Sequence, residues 1–124
     1  MRTEKIVIVD NDPQMIQLTT AALMEAGFRN IEQYHTAESL LENIEKETPI
    51  DLLITDEHMG AWAMPGTELI ANLRKYETSG MKVLLVSGSS LPGSSDYSGE
   101  FLEKRLGFDE IMTDLREYAL RLLG

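Results

Sequence analysis

The 124-residue chain predicts an α/β fold, a (βα)5 doubly wound parallel sheet with strand order 2-1-3-4-5. Three observations carry that reading. Apolar runs of strand length recur at 5–9 (Lys-Ile-Val-Ile-Val), 51–55 (Asp-Leu-Leu-Ile-Thr) and 82–86 (Lys-Val-Leu-Leu-Val). Segments with apolar residues at helical spacing alternate with the strand-like ones. Each of the three runs also gives way to a polar residue at its carboxyl end, Asp10, Asp56 or Ser87. Strands covered on both faces must be almost continuously apolar, so these three are expected at the centre of the sheet. Two mixed segments take the edges, and right-handed crossovers then favour the stated order.

The elements follow in turn. Asp10-Asn11-Asp12-Pro13 ends the first strand. Asp12 suits a helix N-cap and Pro13 the first helical position, which predicts a helix over 13–26. Ile16, Leu23 and Ala26 share its inner face and Gly27 stops it. A weaker strand is expected over 30–34. A helix over 36–47 follows, with Leu40, Leu41 and Ile44 inward and Pro49 beyond its end. After the 51–55 strand, Leu69, Ile70 and Leu73 define a helix over 66–76. The Ser/Gly-rich stretch 87–99 reads as an insertion. Beyond it the expectation is a short helix over 99–106, a fifth strand over 108–112 and a last helix over 114–123. That last helix has Leu115, Ala119, Leu122 and Leu123 on one side.

Size and composition narrow the function. The length suits one domain over 1–124. No apolar run reaches membrane-spanning length, and no signal-peptide core precedes the first strand. The absence of cysteine excludes disulfides, a thiol nucleophile and a cysteine-based zinc site, and fits a cytoplasmic protein. A formal charge of −10, from 21 acidic and 11 basic residues, argues against direct nucleic-acid binding. It is compatible with a protein partner or a divalent cation, and plain solubility accounts for most of it.

In the predicted topology Asp10, Asp56 and Ser87 converge on the carboxyl edge of the central strands, where open α/β sheets bind ligands. Asp56 is the expected working residue. The alternative is a solvated strand-end carboxylate, against which the convergence of Asp10 and Ser87 weighs.

On these residues the chain resembles the response-regulator receiver domains of two-component signalling, which have a flavodoxin-like fold. The resemblance runs through Ile-Val-Asp10-Asn11-Asp12-Pro13, Asp56, Val86-Ser87-Gly88 and Gly107-Phe108-Asp109, and covers essentially the whole chain. It implies a phosphorelay signalling domain rather than an enzyme, with chemistry limited to phosphorylation and dephosphorylation of Asp56. Asp56 would accept a phosphoryl group from the phosphohistidine of a histidine kinase or a histidine phosphotransfer protein. A downstream protein or a homodimer partner would read the result. Mg2+ would be the cofactor, held by Asp10, Asn11, Asp56 and the backbone carbonyl of His58, with Ser87 contacting the phosphoryl oxygens. The chemistry is sound in itself. A carboxylate attacking a phosphoryl group needs its negative charge screened, and Mg2+ with one or two carboxylates does so.

The sequence departs from the family pattern in five places. Asn11 stands where a second acidic ligand is usual, which lowers the expected Mg2+ affinity. Ser87 replaces a threonine. The loop from Asp56 to Gly66 has Met59-Gly60 in place of Met-Pro and is about two residues longer. Counted from Gly107, the family's lysine after the fifth strand falls on Asp114 and its aromatic switch position on Ile111. A unit charge at ~5 Å is worth roughly 3 kcal/mol at an effective dielectric of ~20, so an anion there would oppose the chemistry. His58 is the nearby group able to supply positive charge, when protonated.

Two readings stay open at several residues. Ser87 serves as a phosphoryl contact or as an ordinary Ser-Gly turn residue. Asn11 serves as a ligand or structurally, and Asp10 as a ligand or at the helix entry. At the level of the whole chain, one rival is a degenerate receiver that signals by protein binding alone, suggested by Asn11, Ile111 and Asp114. The other is a haloacid-dehalogenase-like phosphatase, suggested by Asp10-Asn11-Asp12, although this leaves Asp56 without a function and lacks the downstream lysine.

Overall fold

The computed structural model describes residues 2–44, 49–75, 80–88, 100–103 and 107–124. Strand β1 (Arg2–Val9) leads to helix α1 (Pro13–Glu25), β2 (Phe28–Tyr34), α2 (Ala37–Glu42), β3 (Leu52–Asp56) and α3 (Gly66–Leu73). Strands β4 (Lys82–Ser87) and β5 (Glu100–Glu103) and helix α4 (Phe108–Leu123) complete the described elements. The five strands form one parallel sheet in the order β2-β1-β3-β4-β5, as the sequence predicts.

Alternation along the central strands divides the core into two layers, because successive side chains of a strand point to opposite faces. Ile6 and Ile8 of β1, Leu52 and Ile54 of β3, and Leu84 and Val86 of β4 pack with α1 and α4. Val7 and Val9, Leu53, and Val83 and Leu85 pack on the other face with α2 and α3. Residues 6–9, 52–54 and 83–86 are all buried, as strands covered twice must be.

The helix ends follow local chemistry. The Asp12 side chain accepts a hydrogen bond from the Gln14 N–H and Pro13 opens α1, as expected. Gly27, at φ +100°, closes that helix in the left-handed region, its N–H donating to the Met24 carbonyl at 3.0 Å. Thr36 caps α2 through the Ser39 N–H at 3.1 Å. Ile16, Leu23, Leu40, Ile44, Leu69, Ile70 and Leu73 are buried where periodicity assigned them.

The last third of the chain corrects the sequence reading. The fifth strand is Glu100–Glu103, inside the segment expected to be a helix over 99–106. Its residues stand in parallel register with β4, Leu84 opposite Glu100 and Ser87 opposite Glu103. The expected strand over 108–112 is instead the start of one helix, α4, that runs without a break to Leu123. The reason is periodicity. Ile111, Leu115 and Ala119 lie at helical spacing and are buried, with Met112, Leu122 and Leu123 packed beside them. Asp109 and Glu110 in the first turn also suit the positive end of the helix. The shorter run Phe101-Leu102, flanked by glutamates, is an edge strand: Leu102 is buried and Glu100 and Glu103 are half-buried. Most of the expected 87–99 insertion lies outside the described residues, as do 45–48 and 76–79 at the ends of the two predicted middle helices.

Candidate functional site

Register puts three polar residues side by side. Val9 of β1 pairs with Thr55 of β3, so the next residue of each chain, Asp10 and Asp56, emerges at the same level of the sheet. Asp56 in turn pairs with Val86 of β4, and Ser87 follows it as the last residue of that strand. Asp10, Asp56 and Ser87 are 5%, 7% and 1% exposed, so these polar groups are set into the edge and not spread over it.

Asp10 and Asp56 are anchored locally. The Asp10 N–H donates to the Tyr34 carbonyl at 3.1 Å, and its Oδ1 accepts from the Asp12 N–H at 2.9 Å. The buried Thr55 hydroxyl donates to the Asp56 carbonyl at 3.1 Å. The Glu57 N–H donates to the Val86 carbonyl at 3.0 Å, which continues the ladder one residue past Asp56. Asn11 is exposed and its amide nitrogen faces Gly60 of the following loop, 3.9 Å from where a β-carbon would sit. His58 is exposed too, while Met59 next to it is buried in the α2/α3 layer.

The loop from Glu57 to Pro65 is tied at its base. Gly66 N–H donates to the Glu57 carbonyl at 3.0 Å, and the Glu57 carboxylate accepts from Thr67 N–H at 2.7 Å and from its hydroxyl at 3.0 Å. A β-carbon on Gly66 would lie 2.3 Å from the Asp56 carbonyl oxygen, so α3 begins in direct contact with the Asp56 peptide. Further out, Ala63 N–H donates to the Gly60 carbonyl at 3.3 Å and Met64 N–H to the Glu38 carboxylate at 3.2 Å. Trp62 projects fully into solvent from a left-handed backbone, φ 68°.

The donor set suits Mg2+. Two buried carboxylates held side by side on adjacent strands favour a cation between them, and Mg2+ needs only one or two carboxylates because it keeps several waters. Among the described residues no three His, Cys, Asp or Glu side chains gather into a metal-binding group. Asp10 and Asp56 supply the carboxylate oxygens at this edge.

The sequence reading misplaced β5. The described part of β5 runs to Glu103, opposite Ser87, and the next residue in the sequence is Lys104. The family's lysine position therefore does not fall on Asp114, which belongs to the second turn of α4. The aromatic position, three residues earlier by the same count, does not fall on Ile111 either. Ile111 is buried in the α1/α4 layer, and the Phe101 carbonyl accepts a hydrogen bond from the Tyr118 hydroxyl at 3.2 Å. Lys104 itself lies outside the described residues. The unbroken helical period from Ile111 to Leu122 is the signal that identifies the correct register from sequence. The Glu57–Thr67 contact left no such signal.

Comparison with known proteins agrees with this architecture. Residues 6–116 match the family described as response regulator receiver domain. The regulatory protein VanRc of Enterococcus gallinarum is 28% identical over 123 residues, covering 94% of this chain and 52% of the relative. The chain thus spans about half the length of that curated relative. Among solved structures, response regulator TrrA of Thermotoga maritima, in complex with Mg2+-BeF, is 27% identical with a TM-score of 0.75, covering 97% of this chain and 99% of that one. The chemotaxis response regulator CheY4 of Vibrio cholerae matches the fold with a TM-score of 0.75 at 21% identity, covering 98% of this chain and 100% of that one. The chain belongs to the response regulator receiver domain family.

Proposed function

We propose that this chain is a phosphoacceptor of a two-component phosphorelay, with 1–124 forming one receiver domain and Asp56 taking the phosphoryl group. The observation that carries the reading is the burial of Asp10, Asp56 and Ser87 together at the carboxyl edge of three adjacent strands. One Asp56 carboxylate oxygen attacks the phosphorus of a phosphohistidine on a histidine kinase or phosphotransfer protein. The O–P bond forms as the P–N bond breaks, and the electron pair leaves with the imidazole nitrogen, which takes up a proton. Asp10 and Asp56, with Asn11 and the His58 carbonyl, would hold Mg2+, which when bound screens the phosphoryl oxygens. Ser87 would donate its hydroxyl to one of those oxygens. Lys104, which follows Glu103, the strand residue opposite Ser87, would supply the cation that the family uses there.

The corrected register also bears on the binding-only alternative. Two of the three departures that favoured it, Asp114 and Ile111, no longer occupy the positions in question, and Asn11 alone remains. The phosphatase alternative needs Asp12 as a partner of Asp10, but the Asp12 carboxylate is engaged as the cap of α1.

The test is incubation with acetyl phosphate and Mg2+ followed by intact-mass measurement, beside Asp56→Asn. Gain of one phosphoryl group by the wild type and none by the variant is expected. No gain by a folded wild-type protein would count against phosphoacceptance by this route, and turnover dependent on Asp10 but not Asp56 would turn the reading toward a phosphatase.

A further inference from the structure

We infer that Glu57 is a positioning residue that orients the peptide after Asp56 for Mg2+, an inference that rests on the phosphoacceptor reading. Every polar group of Glu57 is engaged. Its N–H is held by the Val86 carbonyl and its own carbonyl by the Gly66 N–H, both at 3.0 Å. Its two carboxylate oxygens take the Thr67 N–H at 2.7 Å and the Thr67 hydroxyl at 3.0 Å. Residue 57 is thereby tied to β4 on one side and to α3 on the other. The next carbonyl along the chain is that of His58, the backbone oxygen assigned to the metal.

The side chain has a second task. Pro65 stands at the N-cap of α3 and makes no side-chain cap hydrogen bond. The Glu57 carboxylate, arriving from across the loop, satisfies the Thr67 N–H in its place and sets a negative charge at the positive end of the helix. The helix start cannot slide toward the strand, because Gly66 already abuts the Asp56 carbonyl. Glu57 prevents it from moving away. Mg2+ demands near-ideal geometry from its ligands, so a loop whose base is fixed before the ion arrives binds it more tightly than one that must be ordered.

Glutamine at this position can keep both contacts: its carbonyl oxygen accepts from the Thr67 N–H and its NH2 donates to the Thr67 oxygen. Alanine loses both. The experiment is calorimetric titration of the wild-type protein, Glu57→Ala, Glu57→Gln and Thr67→Val with MgCl2, with far-UV circular dichroism to confirm that each is folded. Outer-shell contacts of this kind typically change metal affinity by about 10-fold or more. The expected result is a Mg2+ Kd about 10-fold higher for Glu57→Ala, within about 2-fold of wild type for Glu57→Gln, and intermediate for Thr67→Val. Thr67→Val keeps the backbone contact and decides the question if Glu57→Ala does not fold: an unchanged Kd in it would then overturn the inference. Wild-type affinity in a folded Glu57→Ala overturns the inference and leaves the phosphoacceptor reading standing. Equal loss in Glu57→Ala and Glu57→Gln overturns it as well, since the charge and not the orientation would then matter. A wild-type protein that binds no Mg2+ overturns both.

Discussion

The backbone carbonyl of Asp56 and the α-carbon of Gly66 stand so close that a β-carbon on Gly66 would lie 2.3 Å from the oxygen. The phosphoacceptor candidate and the first turn of α3 are therefore in direct backbone contact, and only a residue without a side chain allows it. Leu85 presses on the same point, 2.9 Å from the position of that β-carbon.

Gly66→Ala should accordingly destabilise the fold by about 1–3 kcal/mol, the range for forcing extra volume into a packed site. Urea denaturation followed by circular dichroism checks this through the midpoint. An unchanged midpoint would mean that α3 does not sit against the Asp56 peptide.

Lys104→Met should slow phosphoryl transfer from acetyl phosphate. A unit charge at ~5 Å is worth roughly 3 kcal/mol at an effective dielectric of ~20, which corresponds to a rate loss of roughly 100-fold. Lys82→Met is the control, because Lys82 is exposed at the opposite end of β4 and should leave the rate unchanged. Equal rates for the two variants would remove Lys104 from the site.

Leu115→Ala tests the packing of α4 against the sheet. Leu115 is fully buried between α4 and the sheet, and truncation of such a leucine costs about 2–5 kcal/mol. Asp114→Asn, at a half-buried position beside it, should change stability by less than about 0.5 kcal/mol. Thermal unfolding of the two variants checks that Leu115, and not Asp114, faces the core.

Arg2 links the two ends of the described chain. Its guanidinium pairs with Glu4 at 2.7 Å, reaches the Leu123 carbonyl at 3.2 Å and lies over the Phe28 ring at 4.7 Å. The hydrogen bond from Arg2 holds the Glu4 carboxyl below its ordinary value, chiefly through that contact. A depressed carboxyl contributes stability above the unfolded-state value, about 4.3, and loses it as the pH falls through the lower folded value. Arg2→Met should therefore flatten the acid limb of a stability-against-pH curve while leaving Asp56 phosphorylation intact. Measuring the urea midpoint from pH 6 down to pH 3 is the check, and an acid limb that stays as steep as in the wild type would contradict the pairing.

Much of this protein was legible along the chain. The central strands declared themselves because burial on both faces requires unbroken apolar runs, and Ile6–Val9, Leu52–Ile54 and Val83–Val86 obey. Their polar ends named Asp10, Asp56 and Ser87, since a parallel sheet sends all its carboxyl ends to one edge. Asp12 and Pro13 announced α1 through capping chemistry that acts within one turn. What local pattern could not decide was the edge. Phe101-Leu102 is too short and too polar at its flanks to signal a strand until β4 is there to pair with it, and its register with Leu84–Ser87 is what places the fifth strand at Glu100–Glu103. The Glu57–Thr67 clasp is likewise a product of the fold: its partners are ten residues apart, and their meeting depends on how α3 packs against the end of β3. Hydrophobic period and capping are written locally and determined which residues converge. Pairing and packing across the sheet edge are non-local and decided how the converging residues are held.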